Sequence, residues 1–206
     1  MPKIVNREER RQEILHKHIE LVTRVGLMKA TTRELAKEAG MSAGALWNYF
    51  DTIDEVVLES FRLSFAPLNE RIQSASMQLR GLSAVVAILD ELLPASEQSK
   101  IEGATAISYL FNSERYPEMN GIQLEMERKW FGLLRDHIRE AIDDQEVVAD
   151  ASPVDLSELL LVLVFGLQME WLLPGASTAQ PRRQRELVTL ALGPWLCDGV
   201  EISRRV

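Results

Sequence analysis

Residues 31–50, TTRELAKEAGMSAGALWNYF, set side chains of different chemistry on successive turns. Ser42, Ala43, Gly44 and Ala45 are small and let a backbone approach an outside surface closely. Trp47, Asn48 and Tyr49 follow with ring edges, an amide and a hydroxyl. An amide pairs bidentately with an adenine edge, and a methyl packs on that of thymine. The combination reads as a contact surface for double-stranded DNA. Catalytic chemistry is poorly supplied by comparison. His16, His18 and His137 lack the Cys or carboxylate spacing of a zinc set. There is no phosphate-loop, dinucleotide or nucleophile-elbow motif. The paired acids Glu125/Glu127 and Asp143/Asp144 are too close in sequence to face one another on a helix. The expectation is a protein with no enzyme activity, no metal and no cofactor.

Such a surface needs helices to hold it, and the sequence supplies helix signals almost exclusively. Over 7–25, Ile14, His18, Leu21, Val22 and Val25 recur at helical spacing, and Gly26 follows where a left-handed cap belongs. Thr31 and Glu34 match a capping box that opens a second helix, which Gly40 ends. Ser42 is an N-cap type for a third helix ending near Phe50, with Leu46 and Phe50 facing the core. Two short helices joined by a three- or four-residue turn containing Gly make a helix-turn-helix. Thr52 and Glu55 form another capping box, opening a fourth helix over 53–77 with a bend at Pro67. Further helices are expected over 82–93, 97–112, 117–145, 153–173 and 182–197. The fold class is therefore all-α with about nine helices, divided into a DNA-binding domain (1–52) and a helical ligand-binding and dimerisation domain (53–206).

The 206 residues are 46% hydrophobic and 26% charged, the composition of a globular protein with a sizeable core. A net charge of −8 argues against a nucleic-acid partner until its distribution is considered. Residues 1–50 carry nine basic and six acidic side chains, whereas the remainder carries 14 and 25. The apolar run at 159–167 is far shorter than the ~20 residues a bilayer requires, so no membrane partner is expected. The N-terminus lacks an apolar signal region and Cys197 stands alone, which makes a reducing cytoplasm the default location.

Thr31–Thr32–Arg33, Leu35–Ala36, Gly40, the small-residue turn and Leu46-aromatic-x-aromatic-Phe50 together resemble the DNA-binding head of the TetR family of transcriptional regulators. The resemblance covers about a quarter of the chain. It implies an all-helical homodimer that binds a palindromic operator, most often a repressor released by a small molecule held in a variable C-terminal domain. By position, Thr32 would bond a phosphate and Arg33 would reach a base edge or phosphate. Ala43, Gly44 and Ala45 would lie against the bases. Trp47 and Tyr49 fall at the family's phosphate-contacting aromatic positions, and Asn48 is best placed to read adenine. Where many members carry Lys at the start of the fourth helix, this chain has Asp51, Thr52 and Ile53. Loss of that contact would flatten the salt dependence by about 0.9 per site. Lys3, Arg7, Arg10, Arg11 and Lys29 are available to compensate, although the interleaved Glu8, Glu9 and Glu13 are the pattern of a solvated face.

The C-terminal region must then supply dimer and sensor. Apolar residues at Leu187, Leu190, Ala191, Pro194 and Trp195 form a stripe, and 156–173 is apolar on most faces. Leu160, Leu163, Leu167, Leu187, Leu190, Ala191 and Trp195 are the expected interface of a four-helix, two-fold dimer. Tyr109, Phe111, Met126, Trp130, Phe131, Phe165, Gln168, Met169 and Trp171 are candidate pocket residues for an unidentified effector, each competing with an ordinary core role. A buried Glu170 would favour a cationic ligand. Two other functions fit the same head: a DNA-binding factor without ligand control, and a helical adaptor that binds protein.

Overall fold

The computed structural model describes residues 7–173, 175 and 180–202, and Lys3 lies outside them. Within these, the chain is all helical apart from one isolated antiparallel bridge between Val147 and Leu196. The α-helices are α1 (Arg7–Val25), α2 (Thr32–Glu38), α3 (Ala43–Leu46), α4 (Ile53–Ser64), α5 (Ala66–Ser76), α6 (Gly81–Leu92), α7 (Glu97–Leu110), α8 (Glu118–Asp143), α9 (Pro153–Trp171) and α10 (Pro181–Leu192). These are the nine expected helices with the fourth divided at Phe65. Pro67 causes the division: it has no N–H for the Leu63 carbonyl, and its ring would clash there. It is tolerated in the first turn of α5, where that N–H would be unpaired in any case.

The chain forms two compact units. The first comprises Met1–Ala66 and Ile101–Leu124. In it α1 packs on α4 and α2, and α2 on α3. Ile14, Leu15, Leu21, Leu35, Leu46, Phe50, Val56, Val57 and Phe61 are buried. Val25, expected on the inner face, is 36% exposed because α1 ends there. The second half of α7 is fastened by polar contacts to α1 and to the 3-10 turn that follows it, Leu27–Lys29. Thr23 Oγ1 lies 2.7 Å from Thr105 Oγ1, the Leu27 N–H donates to Ser108 Oγ at 3.3 Å, and Tyr109 Oη lies 3.2 Å from His18 Nδ1.

The second unit comprises Pro67–Lys100 and Glu125–Val206. Here α9 packs on α6 and on α10. Helix α6 has no side-chain cap of its own. Glu140 accepts the Gly81 N–H at 3.1 Å and Glu146 the Leu82 N–H at 2.7 Å, placing carboxylates at the positive end of the helix. At its other end, Gln168 Nε2 donates to the Leu92 carbonyl at 2.8 Å.

Candidate nucleic-acid interface

Local chemistry sets each boundary of the helix-turn-helix. Thr31 Oγ1 accepts the Glu34 N–H at 3.3 Å and so starts α2. The helix ends in a Schellman arrangement: the Gly40 N–H bonds Lys37 O at 3.1 Å and the Met41 N–H bonds Ala36 O at 2.9 Å. Gly40 has φ 65°, a conformation an L side chain adopts only at a cost. Ser42 Oγ accepts the Ala45 N–H at 3.2 Å and opens α3, and Thr52 Oγ1 does the same for Glu55 at 3.1 Å in α4. Gly26 differs from expectation: its φ is 79° but its ψ is 155°, outside the left-handed helical well.

Helix α3 is shorter than its sequence implied. It is α-helical only from Ala43 to Leu46, and the chain continues through bonds from Asn48 N–H to Ala45 O and Tyr49 N–H to Leu46 O. These tighter three-residue steps present Trp47, 45% exposed, and Asn48 to solvent while Leu46 and Phe50 stay buried. Arg33, Ala43 and Gly44 are exposed, and Thr32, Ala45 and Tyr49 are half-buried. Every residue of the sequence-derived contact set thus has accessible surface.

The arginines of α1 behave otherwise. Arg10 Nη2 donates to the Ala39 carbonyl at 2.6 Å, a cation on the C-terminal end of α2, and Nη1 pairs with Glu13 at 2.5 Å. Arg11 donates through Nη1 to the Tyr49 carbonyl and through Nη2 to both Glu55 and Glu59, with its Cζ 4.3 Å from the Phe50 ring centre. The hydrogen bond from Arg11 holds the Glu55 carboxyl below the usual carboxylate range, and the Asp51 N–H adds to this at 2.7 Å. Neither arginine is a free phosphate ligand, which corrects the expectation for both. Arg7 and Lys29 are exposed. Sequence separation hid the arrangement, because Arg11 meets partners 38 to 48 residues away.

The candidate pocket residues separate on inspection. Trp130 and Phe165 approach with centroids 6.4 Å apart, and Trp130 Nε1 donates to Asn69 Oδ1 at 2.9 Å. The Asn69 amide also reaches Met126 Sδ at 3.6 Å. Asn69 carries no signal in the sequence, being one polar residue on an amphipathic helix. Tyr109 belongs to the core of the first unit, its ring 5.1 Å from that of Phe61. Phe111 is 72% exposed and Met169 42%, so neither encloses a cavity; Phe131, Gln168 and Trp171 are half-buried. The Lys100 ammonium lies 5.6 Å from the Trp171 ring. Glu170 is exposed and carries no argument for a cationic ligand.

The expected interface residues also need correction. Leu160 and Leu167 are 0% and 4% exposed within the chain itself and belong to the core of the second unit. The outward face of α9 is instead Leu159, Val162, Gly166 and Met169, with Val162 69% exposed. On α10, Leu190 is 64% exposed, whereas Leu163, Leu187, Ala191 and Trp195 are half-buried. Helix α10 stops at Leu192, and Gly193–Trp195 forms a 3-10 turn containing Pro194, so Trp195 is not on the helix.

Caps, turn and helix order define a helix-turn-helix of a regulator, and comparison with known proteins gives the family. Residues 14–59 match the family described as "Bacterial regulatory proteins, tetR family", and 82–193 match "BetI-type transcriptional repressor, C-terminal". The chain belongs to the TetR family of transcriptional regulators, with a DNA-binding helix-turn-helix and a C-terminal region of the BetI type. It is 34% identical over 100 residues to the regulator PksA of Bacillus subtilis (strain 168), a match spanning 48% of this chain and 49% of that protein. It is 22% identical over 187 residues to the repressor KstR2 of Rhodococcus jostii (strain RHA1), covering 89% of each. In fold it is similar to a transcriptional regulator from Saccharomonospora viridis solved in complex with choline, with TM-score 0.81 and 19% identity over 92% of this chain and 99% of that one. These relatives are regulators of transcription, not enzymes.

Proposed function

We propose that this regulator acts as a homodimer on a palindromic operator, as a repressor released by a small molecule. The observation that carries this reading is the paired exposure of the two functional surfaces. Ala43, Gly44, Trp47 and Asn48 are open to solvent on a head whose caps and turn are internally satisfied. The α9 stripe of Leu159, Val162 and Met169, with Leu190 on α10, is apolar and uncovered in the single chain. Pairing these faces about a two-fold axis buries them and ties two heads together. A spacing of about 34–36 Å between recognition elements would then admit them to successive major grooves. Asn48 and Arg33 read bases, while Thr32, Trp47 and Tyr49 meet phosphates. Functionally the DNA-binding domain is taken as 1–52 and the effector and dimer domain as 53–206.

The effector needs only to prefer the DNA-incompetent arrangement, and its leverage equals its differential affinity for the two states. Met126, Trp130 and Phe165 with Asn69 are the part of the proposed pocket that packs together. Choline, bound by the Saccharomonospora regulator, is the first compound to screen.

The test is selection of bound duplexes from a random library, followed by anisotropy titration of the winner with wild type and Asn48→Ala. A palindromic winner whose preference relaxes at one base pair per half-site in Asn48→Ala is expected. No enriched sequence, and weak binding unchanged in Asn48→Ala, would sink the reading.

A further inference from the structure

The guanidinium of Arg11 makes four separate contacts at one point of the head. Nη1 holds the backbone carbonyl of Tyr49, Nη2 holds the carboxylates of Glu55 and Glu59, and Cζ lies over the Phe50 ring, 4.3 Å from its centre. These partners belong to three consecutive pieces: the turn that carries Trp47, Asn48 and Tyr49, the buried residue that ends it, and the first two turns of α4. The turn needs such a clamp. Helix α3 has only four residues and ends at Leu46, before Trp47, Asn48 and Tyr49, although the Phe50 N–H still bonds the Leu46 carbonyl at 3.2 Å. Past Leu46 the turn is held by bonds back to Ala45 and Leu46, by burial of Phe50, and by Arg11. The Arg11 side chain keeps only 19% of its surface, so it is committed to these partners.

From this geometry we infer that Arg11 is a positioning residue for sequence reading: its fork fixes the Trp47–Tyr49 turn against α4 without touching DNA. The inference rests on the DNA-reading role of that turn. Lys supplies the same charge as a point on a flexible stem, without the planar fork or the stacking face. It can pair with one carboxylate but cannot hold the Tyr49 carbonyl, both carboxylates and the ring at once.

The experiment compares wild type, Arg11→Lys and Arg11→Met on the selected operator and on a scrambled duplex. Anisotropy titrations at several salt concentrations give affinities, and melting curves give the folded fraction. Arg11→Lys should lose about tenfold in operator affinity, within the range a misplaced base contact costs. Its affinity for the scrambled duplex and its salt slope should stay at the wild-type values. Arg11→Met should lose more, in the same specific-over-nonspecific sense; if it fails to fold, Arg11→Lys carries the test. A parallel fall on both duplexes, with the salt slope reduced by about 0.9 for each lost contact, would make Arg11 a phosphate ligand and overturn the inference. Unchanged operator affinity in folded Arg11→Lys would overturn it as well. Wild type lacking any sequence preference removes the regulator reading itself, and the inference with it, before a substitution is made.

Discussion

The helix-turn-helix and the α9–α10 pair are both helical and both offer exposed surface, yet they are specified in opposite ways. In the head, polar side chains determine geometry: Thr31, Ser42 and Thr52 start helices, Gly40 stops one, and Arg10 and Arg11 bind carbonyls at or just past helix ends. The large apolar side chains left exposed in α1 to α4 and their connections are Val25, Met28 and Trp47. In α9 the only local signals are the Ser152 cap, with Pro153 beside it, and apolar residues occupy nearly every position to Leu167. Which of those residues face inward is decided by what packs against them. A surface specified by caps tolerates apolar change but not loss of a hydrogen bond; a surface specified by packing behaves the other way round.

The largest test of this difference charges the uncovered stripe. Val162→Lys combined with Leu190→Lys should leave each chain folded and raise the dimer dissociation constant by about a thousandfold, ~4 kcal/mol, because an isologous interface meets each change twice. Sedimentation equilibrium checks it; an unaltered dimer would place the interface elsewhere. Next in size, Leu160→Ala removes a fully buried side chain from the same helix. It should cost about 3 kcal/mol in urea unfolding and leave dimer affinity per folded chain intact. Together the two substitutions separate the outer from the inner face of α9.

In the head, His18 supplies a pH-dependent counterpart. Burial depresses its pKa to about 4, so the folded state keeps it neutral where the unfolded chain begins to protonate at about 6.5. That stability is fully present above pH 6.5 and is lost as pH falls toward 4. The head should lose about 2 kcal/mol between pH 7.5 and pH 5, seen as a falling melting temperature that His18→Leu flattens. Smallest is Gly40→Ala, expected to cost about 1 kcal/mol: no neighbour lies within 4 Å of an added Cβ, so only backbone strain at positive φ remains. A cost well above this would show that the turn is crowded as well as strained.

Much of the head was legible in the sequence, because caps, a Schellman glycine and a three-residue period act over fewer than six residues. The fold class and the helix-turn-helix followed from those signals. The outward face of α9 was less legible. Leu159 and Leu160 are chemically alike, and an all-round apolar helix carries no moment to say which faces out. The arginines of α1 were misread for a related reason. An Arg interleaved with Glu looks solvated until a distant carbonyl is brought beside it.

What the sequence determined by itself is therefore the set of local decisions: where each helix starts, where Gly40 must turn the chain, and which small and polar residues stand on α3 and the turn after it. Only the tertiary structure decided the pairings across distance. It turned Arg11 inward onto Tyr49, Glu55 and Glu59, joined Tyr109 to His18, and gave Leu160 to the core and Val162 to the surface. The physical reason is range. Backbone caps and helical periodicity act within a turn or two of the chain, whereas burial and long-range hydrogen bonds exist only after distant segments have packed.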